Sequence, residues 1–337
     1  MKIGLAYDLK DEVSSQCKTD DALEEYDSIE TIEGIAGVLQ SLGHSTVKLG
    51  GGRQFLHNIS NTTVDFVFNI SEGRGTFRSR DAQVPSILEL LDIPYTGADP
   101  QCLAICLDKP LVKRIVKSYG IITPKWQIVE SIESIRNIAW KDMSYPLILK
   151  PAYEGSSKGI RFTSIVNNKE ETIKILHELL LAYQQPIMLE EYIEGDEITV
   201  GVIGNAPAEI VGVMRVLPKK KYTHFVYSLE VKRDWVNTVE YEVPAKLDEK
   251  IMNTLINDSL MVYKLLECRD FGRIDFRIDK KGVPYFIEIN PLAGLNPRSS
   301  DLPIMARKMN IDYEKLVAAI FNAALRRYES TKGSNCL

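Results

Sequence analysis

GRIDFRIDKKGVPYFIEIN, residues 272–290, holds two runs in which apolar and polar side chains alternate, separated by Asp279-Lys280-Lys281-Gly282, a hairpin-turn composition. Side chains alternate across a strand, so pairing register decides which residues share a face. With Lys280 and Lys281 as the loop, Asp279 pairs with Gly282, and Arg273 and Asp275 share a face with Glu288 and Asn290. A shift of two residues leaves that result unchanged. Three hard oxygen donors, Asp275, Glu288 and Asn290, then converge beside one guanidinium, a set that suits Mg²⁺ holding substrate phosphates. The solvated face of a two-stranded ribbon has the same alternation. Against that simpler reading, the second strand ends in Glu-x-Asn-Pro and runs into Pro291-Leu-Ala-Gly-Leu-Asn296.

Upstream, the first hundred residues alternate short apolar runs (KIGLAY, STVKLG, VDFVFNI) with helical patterns over about Ile29 to Leu42 and through SILELLD, the signature of an open parallel α/β sheet. Asp27 or Ser28 starts the first helix and Gly43 stops it. A second unit carries the helix DKPLVKRIVKSYG, the strand LILK, the loop EGSSKG, a strand RFTSIV and a helix from about Asn168 to Tyr183. From Pro186 the pattern is strand-rich, interrupted by the polar stretch LPKKKYTHFVYSLEVKRDW. The expected units are 1–100, 101–186 and 187–330, with 331–337 as a tail.

Two further segments bear on chemistry. Lys150 ends a strand and leads into Glu154-Gly155-Ser156-Ser157-Lys158-Gly159, small residues whose N–H groups can approach phosphate oxygens. A plain turn has the same composition, and no Walker A loop occurs in the chain. Met188 to Glu197 places Glu190, Glu191 and Glu197 around a glycine turn, offering acceptors to an adenine amino group and a ribose, as a charged exposed hairpin also would. His44, His57, His177 and His224 show no ligand spacing, and Cys102 and Cys106 at i, i+4 read as a packed helix face. Lys219, Lys220 and Lys221 read as a solvated loop, with a lid over phosphate as the alternative.

Composition narrows the field. At roughly 100 to 200 residues per domain, 337 residues predict two or three domains. A formal charge of −5 gives no general field for a polyanion, so nucleic acid is not an expected partner. No run approaches the ~20 apolar residues that span a bilayer, and the first residues lack a signal-peptide core, so a cytoplasmic protein is expected. The five cysteines, Cys17, Cys102, Cys106, Cys268 and Cys336, form an odd set without C-x-x-C, which fits a reducing compartment.

Taken in order, SILELLDIPYTGAD with LDK, LILKPAYEGSSKGI, LEEYIEGDEITVGVIGN, YSLEVK, GRIDFRID and FIEINPLAGLNPRSS resemble the ATP-grasp fold and, within it, the D-alanine-D-alanine ligase family, over about Val64 to Arg326. The resemblance implies an α/β (α+β) ATP-grasp fold behind an N-terminal parallel α/β domain. It implies that Lys109 and Lys150 hold the α- and β-phosphates of ATP. The loop Glu154, Gly155, Ser156, Ser157 and Gly159 would cover the β- and γ-phosphates, while Glu190, Glu191, Tyr192, Ile193 and Glu197 frame adenine and ribose. Asp275, Glu288 and Asn290 would ligate two Mg²⁺ ions, or Mn²⁺ in their place; Lys232 would reach the γ-phosphate and second substrate, and Arg273 with the Gly294 N–H would stabilise an oxyanion, Ser156 standing beside them. The partners implied are small amino-acid substrates and a second copy in a homodimer.

Departures from the family fall on the amino-acid side. The glycine-rich start with its substrate-anchoring glutamate is replaced by YDLKDEVSSQCKTDDALEEYDSIET, in which no residue matches that glutamate. The usual L-H-G-x-x-G-E-D-G becomes NISEGRGTFRSRDAQ, which gains Arg74, Arg78 and Arg80, and the tyrosine after the lid lysine becomes Arg233. Added guanidinium groups suggest a different or larger acyl donor, one with an extra carboxylate, with surface arginines that touch no substrate as the alternative reading. Ser299 or Ser300 is the expected contact for the second substrate's carboxylate. The expected function is an ATP-dependent carboxylate-amine ligase forming an amide or dipeptide through an acyl phosphate. D-alanyl-D-alanine synthesis and a non-catalytic ATP-binding regulator are the alternatives.

Overall fold

The computed structural model describes residues 1–10 and 19–334. Cys17, Cys336 and part of the YDLKDE segment lie outside the described residues. Among the described residues three sheets organise the fold. In the first, β1 (Lys2–Ala6) lies between β2 (Ser45–Gly50) and β3 (Phe66–Asn69), both parallel to it. The helix Ile29–Ser41 that connects β1 to β2 starts after Ser28, and Gly43, at a φ of 85°, lets the chain turn back.

The second sheet has the order β4 (Trp126–Val129), β7 (Ile187–Glu191), β5 (Leu147–Pro151), β6 (Ile165–Val166). RFTSIV is not one strand: Phe162–Ser164 form a 3-10 turn, and only two residues pair with β5. Asn168 caps the helix Lys169–Tyr183 by accepting from the Glu171 N–H at 2.9 Å. That helix buries Leu176 and Leu180 against β5 and β7.

The third sheet runs β10 (Val239–Glu242), β9 (Ala208–Pro218), β8 (Gly195–Gly204), β11 (Phe271–Asp279), β12 (Pro284–Asn290), antiparallel throughout. Its core face carries Ile274, Phe276 and Phe286, fully out of water. The last helix runs Tyr313–Ser334, well into the segment read as a tail. Phe321 from it meets Phe66 edge-on at 5.3 Å, tying this helix to the first sheet. Cys102 and Cys106 are buried with Cys268 in this shared core.

Candidate functional site

The β11–β12 turn is longer than the sequence reading has it. Asp279 N–H donates to Val283 O at 3.0 Å, and Asp279 Oδ1 accepts from the Lys281 and Val283 N–H groups. Next to the turn Ile278 faces Pro284 and Phe276 faces Phe286. Continued unchanged, that register would set Asp275 opposite Ile287 and send Glu288 to the core side. Instead the partner jumps from Phe286 to Glu288 between Phe276 and Asp275, leaving Ile287 as an extra residue. Ile287 and Glu288 then both line the cleft, and Arg273 faces Asn290 while Asp275 faces Glu288.

These side chains form one connected set. Arg273 donates to Asp275 through Nε and Nη2 (3.1 and 2.9 Å) and to Asp301 through Nη1 at 3.0 Å. Thr199 Oγ1 and Asn290 Nδ2 donate to the same Asp275 carboxylate at 2.9 and 3.1 Å. Glu288 lies 3.3 Å from Lys109 Nζ. Burial would raise the Glu288 carboxyl, but Lys109, Lys150, Lys232 and Arg273 hold it down to about 2, so it is ionised at any ordinary pH. Lys109 is placed by its helix: Asp108 caps Lys109–Ser118, accepting from Leu111 N–H at 3.0 Å, so the lysine sits in the first turn where the helix field is positive.

The cleft beside this set, between the second and third sheets, has an apolar floor of Ile148, Val216, Val226 and Ile287 and a polar rim. Lys150, Glu190, Glu191, Tyr192, Ile193, Glu197 and Ser157 all line it. Glu190 is buried and joined to both Lys150 and the fully buried Lys113. Burial shifts the Lys113 ammonium down to about 8, against the pull of Glu190. Glu197 accepts from Arg277 at 2.5 Å, and that guanidinium also donates to Ile193 O at 2.6 Å and packs 4.7 Å over the Tyr192 ring.

A second cavity opens on the other side of Lys232 and Arg273, which line both. Its walls come from the first domain (Glu24, Glu25, Asp27, Glu72, Asp81), from Gly155 and Ser156, and from the loop after β12 with Gly294, Ser299 and Ser300. A Cβ at Gly294 would stand 2.8 Å from Ser300 Oγ, so the loop passes there only without a side chain. Lys232, on the helix Leu229–Arg233, lies 5.2 Å above the Tyr227 ring, and burial with nearby Arg273 lowers its ammonium.

The loop from Glu154 to Gly159 is held by acids of the first domain. Gly155 N–H donates to Glu25 Oε1 at 2.5 Å and Gly159 N–H to Asp21 Oδ2 at 2.8 Å. Ser156 and Ser157 between them sit at φ 48° and 61°, a left-handed turn that non-glycine residues adopt at a cost. Glu154 is buried beneath the loop, bound by Gln185 Nε2 at 2.7 Å and by Lys158.

The substrate-side arginines are turned to the chain's own acids. Arg80 is buried and donates to Glu25 at 2.7 and 2.8 Å, to Glu154 at 3.3 Å and to Tyr153 O at 2.7 Å. Arg78 is exposed 3.5 Å from Asp108, and Arg233 holds Glu24 and Asp20 at 2.7 and 3.2 Å. None of the three lines either cavity. Residues that the sequence did not single out include Asp301, Lys113, Glu25, Glu72 and Asp81. Of these, only Lys113 had a sequence signal, a lysine one turn after Lys109 on the face that carries Val116.

Residues 115–322 match the sequence model of the D-ala D-ala ligase C-terminus family. A D-alanine--D-alanine ligase of Aquifex aeolicus is 36% identical over 293 residues, covering 87% of this chain and 94% of the relative. D-alanine--D-alanine ligase A of Bacillus cereus is 32% identical over 265 residues, covering 78% and 81%. In fold, the chain is similar to the Bacillus anthracis D-alanine--D-alanine ligase whose crystal structure is a complex with ATP (TM-score 0.76, 24% identity, 98% of this chain and 99% of that one). It is also similar to the VanG D-Ala:D-Ser ligase of Enterococcus faecalis (TM-score 0.73, 20% identity, 96% and 99%). With more than half of its length matched by the family model, the chain belongs to the D-alanine-D-alanine ligase family and has its ATP-grasp fold.

Proposed function

We propose that the protein is an ATP-dependent ligase that joins the carboxylate of one amino acid to the amine of another. The observation that carries this reading is the facing of Asp275 with Glu288 and of Arg273 with Asn290, at the point where two cavities meet under Lys232. One cavity has the apolar floor and acceptor rim suited to a nucleoside, the other is polar and suited to amino acids.

Asp275, Glu288 and Asn290 are the oxygen donors that would hold Mg²⁺, and the ion, when bound, neutralises phosphate charge. Glu288, its carboxyl held down by the surrounding lysines and Arg273, fits that task. Lys109 and Lys150 lie beside it for the α- and β-phosphates, and Glu190 orients Lys150. A substrate carboxylate oxygen attacks the γ-phosphorus, the bond to the ADP oxygen breaks, and an acyl phosphate forms. The second amine then attacks the acyl carbon, phosphate leaves, and the amine proton passes to phosphate or solvent. Arg273, fixed by Asp275 and Asp301, and the Gly294 N–H stabilise the tetrahedral oxyanion, an effect of about 3 kcal/mol per donor. Lys232 bridges the transferring phosphoryl group, Ser156 lies on the substrate side of the loop, and Ser299 or Ser300 meets the acceptor carboxylate. D-alanine on both sides is the second reading, favoured by the names of the relatives.

Incubation with ATP, Mg²⁺ and mixed amino acids, read by mass spectrometry and ADP release, tests the proposal. A dipeptide appearing with equimolar ADP is expected; ATP binding without ADP release from any mixture would overturn it.

A further inference from the structure

The cavity against the first domain has an uneven charge balance. Its cations are each answered by an acid: Lys109 by Glu288, Arg273 by Asp275 and Asp301, Lys10 by Glu24 at 3.7 Å. Lys232 lies in the field of Asp301, Glu288 and Asp275. Two of its acids are likewise answered, Glu24 by Arg233 and Glu25 by Arg80 and Lys158.

Three carboxylates remain: Asp27 before the first helix, which is hydrogen-bonded to Thr31 and lies in the field of Lys10; Glu72 after β3; and Asp81 in the short helix Arg80–Ala82. Among the described residues no ion pair or hydrogen bond reaches the Glu72 carboxylate. Asp81 is only 8% exposed, its Oδ1 is sealed from water without a hydrogen bond, and it is faced by Arg80 Nε at 3.8 Å and by the charge of Lys109. Burial above all pushes the Asp27 carboxyl, with Asp8 nearby, and the Asp81 carboxyl, with Glu25 and Glu154 nearby, up to about 7; burial with Asp81, Glu25 and Asp27 pushes the Glu72 carboxyl well above its ordinary range. A buried acid without a partner is costly and seldom kept in a cavity wall without a ligand to answer it.

An amino acid brings one α-ammonium, which answers one carboxylate or a shared pair. Asp27, Glu72 and Asp81 line this cavity for that one cation. We propose that the amino acid bound against the first domain carries a second cationic group, an ammonium or guanidinium on its side chain, selected by Glu72 and Asp81. This inference rests on the ligase reading. It reverses the charge expected from the arginine-rich segment, because Arg78, Arg80 and Arg233 face the protein's own acids.

Isothermal titration of the full chain, loaded with Mg²⁺ and a non-hydrolysable ATP analogue, compares ornithine with norvaline, which has the same carbon chain without the side-chain amine. Both enantiomers of each are used. One hand of ornithine is expected to bind at least about tenfold more tightly than norvaline. In the double variant Glu72→Gln, Asp81→Asn the ratio should fall below about threefold. Equal affinity for the two amino acids, or binding by neither, overturns the inference, and the wild-type ratio decides this without any variant. ADP release with pairs of amino acids tests the ligase reading separately. No release with any pair, ornithine included, sinks that reading, whereas release with norvaline as fast as with ornithine sinks only the inference.

Discussion

Arg80 and Glu25, 55 positions apart in the chain, meet through two hydrogen bonds from a single guanidinium nitrogen, at 2.7 and 2.8 Å. Glu25 in turn accepts from Gly155 N–H, so this pair joins the first domain to the glycine- and serine-rich loop. Arg80→Met leaves Glu25 and Glu154 with too little positive charge in a buried place and is expected to destabilise the fold by about 3 kcal/mol. Adding Glu25→Gln should recover part of that loss. Urea melts of the single and double variants check it; an unchanged melt with a raised KM would instead place Arg80 on substrate.

Asp275→Asn and Glu288→Gln keep side-chain volume and remove a negative donor from the cleft. Each should lower ADP release by about a thousandfold while leaving the melting temperature within a few degrees. A stopped-time ADP assay beside a thermal melt distinguishes loss of chemistry from loss of fold.

Arg233 links the helix that carries Lys232 to Asp20 and Glu24 of the first domain, all partly exposed. Pairs of this kind contribute about 0 to 1 kcal/mol, so Arg233→Ala should barely alter stability. Its effect should appear as leakage: a looser hold on the helix that carries Lys232 admits water to the acyl phosphate, and ADP then forms in excess of amide. The ratio of ADP to dipeptide, near one in the parent, is expected to rise.

Asp27 has its carboxyl raised from 3.8 to about 7, chiefly by burial. Between those values the folded protein keeps a proton that the unfolded chain has released, so this group's contribution to stability is present at low pH and is lost as pH rises toward 7. Asp27→Asn removes the dependence. Its stability relative to the parent should be greater at pH 8 than at pH 5, by about 1 to 3 kcal/mol in urea melts. An equal difference at both pH values would show that Asp27 ionises freely.

The fold was largely legible because its signals are local. Apolar runs gave the parallel first sheet, and alternation gave β11 and β12. The same alternation shows that Asp275 and Glu288 share a face, yet it hides how they do so, since Ile287 is an ordinary apolar letter in an ordinary strand. RFTSIV misled for a related reason: its composition suits a strand, but only Ile165 and Val166 find a partner. The amino-acid side of the site was the least legible. Glu25, Glu72, Asp81 and Asp301 are brought together by packing between segments far apart in the chain, and the arginines beside them could be read as free only until their partners were placed.

A pleated strand offers a side chain just two orientations, so a single supernumerary residue acts as a parity switch for everything beyond it. A ladder running straight through Ile287, without the bulge, would preserve the turn, both strands and every letter of the motif, yet it would swing Glu288 into the oily interior and Ile289 out toward the nucleotide. Such a chain would fold, would still be recognised as a relative by its motifs, and would have no centre at which to work.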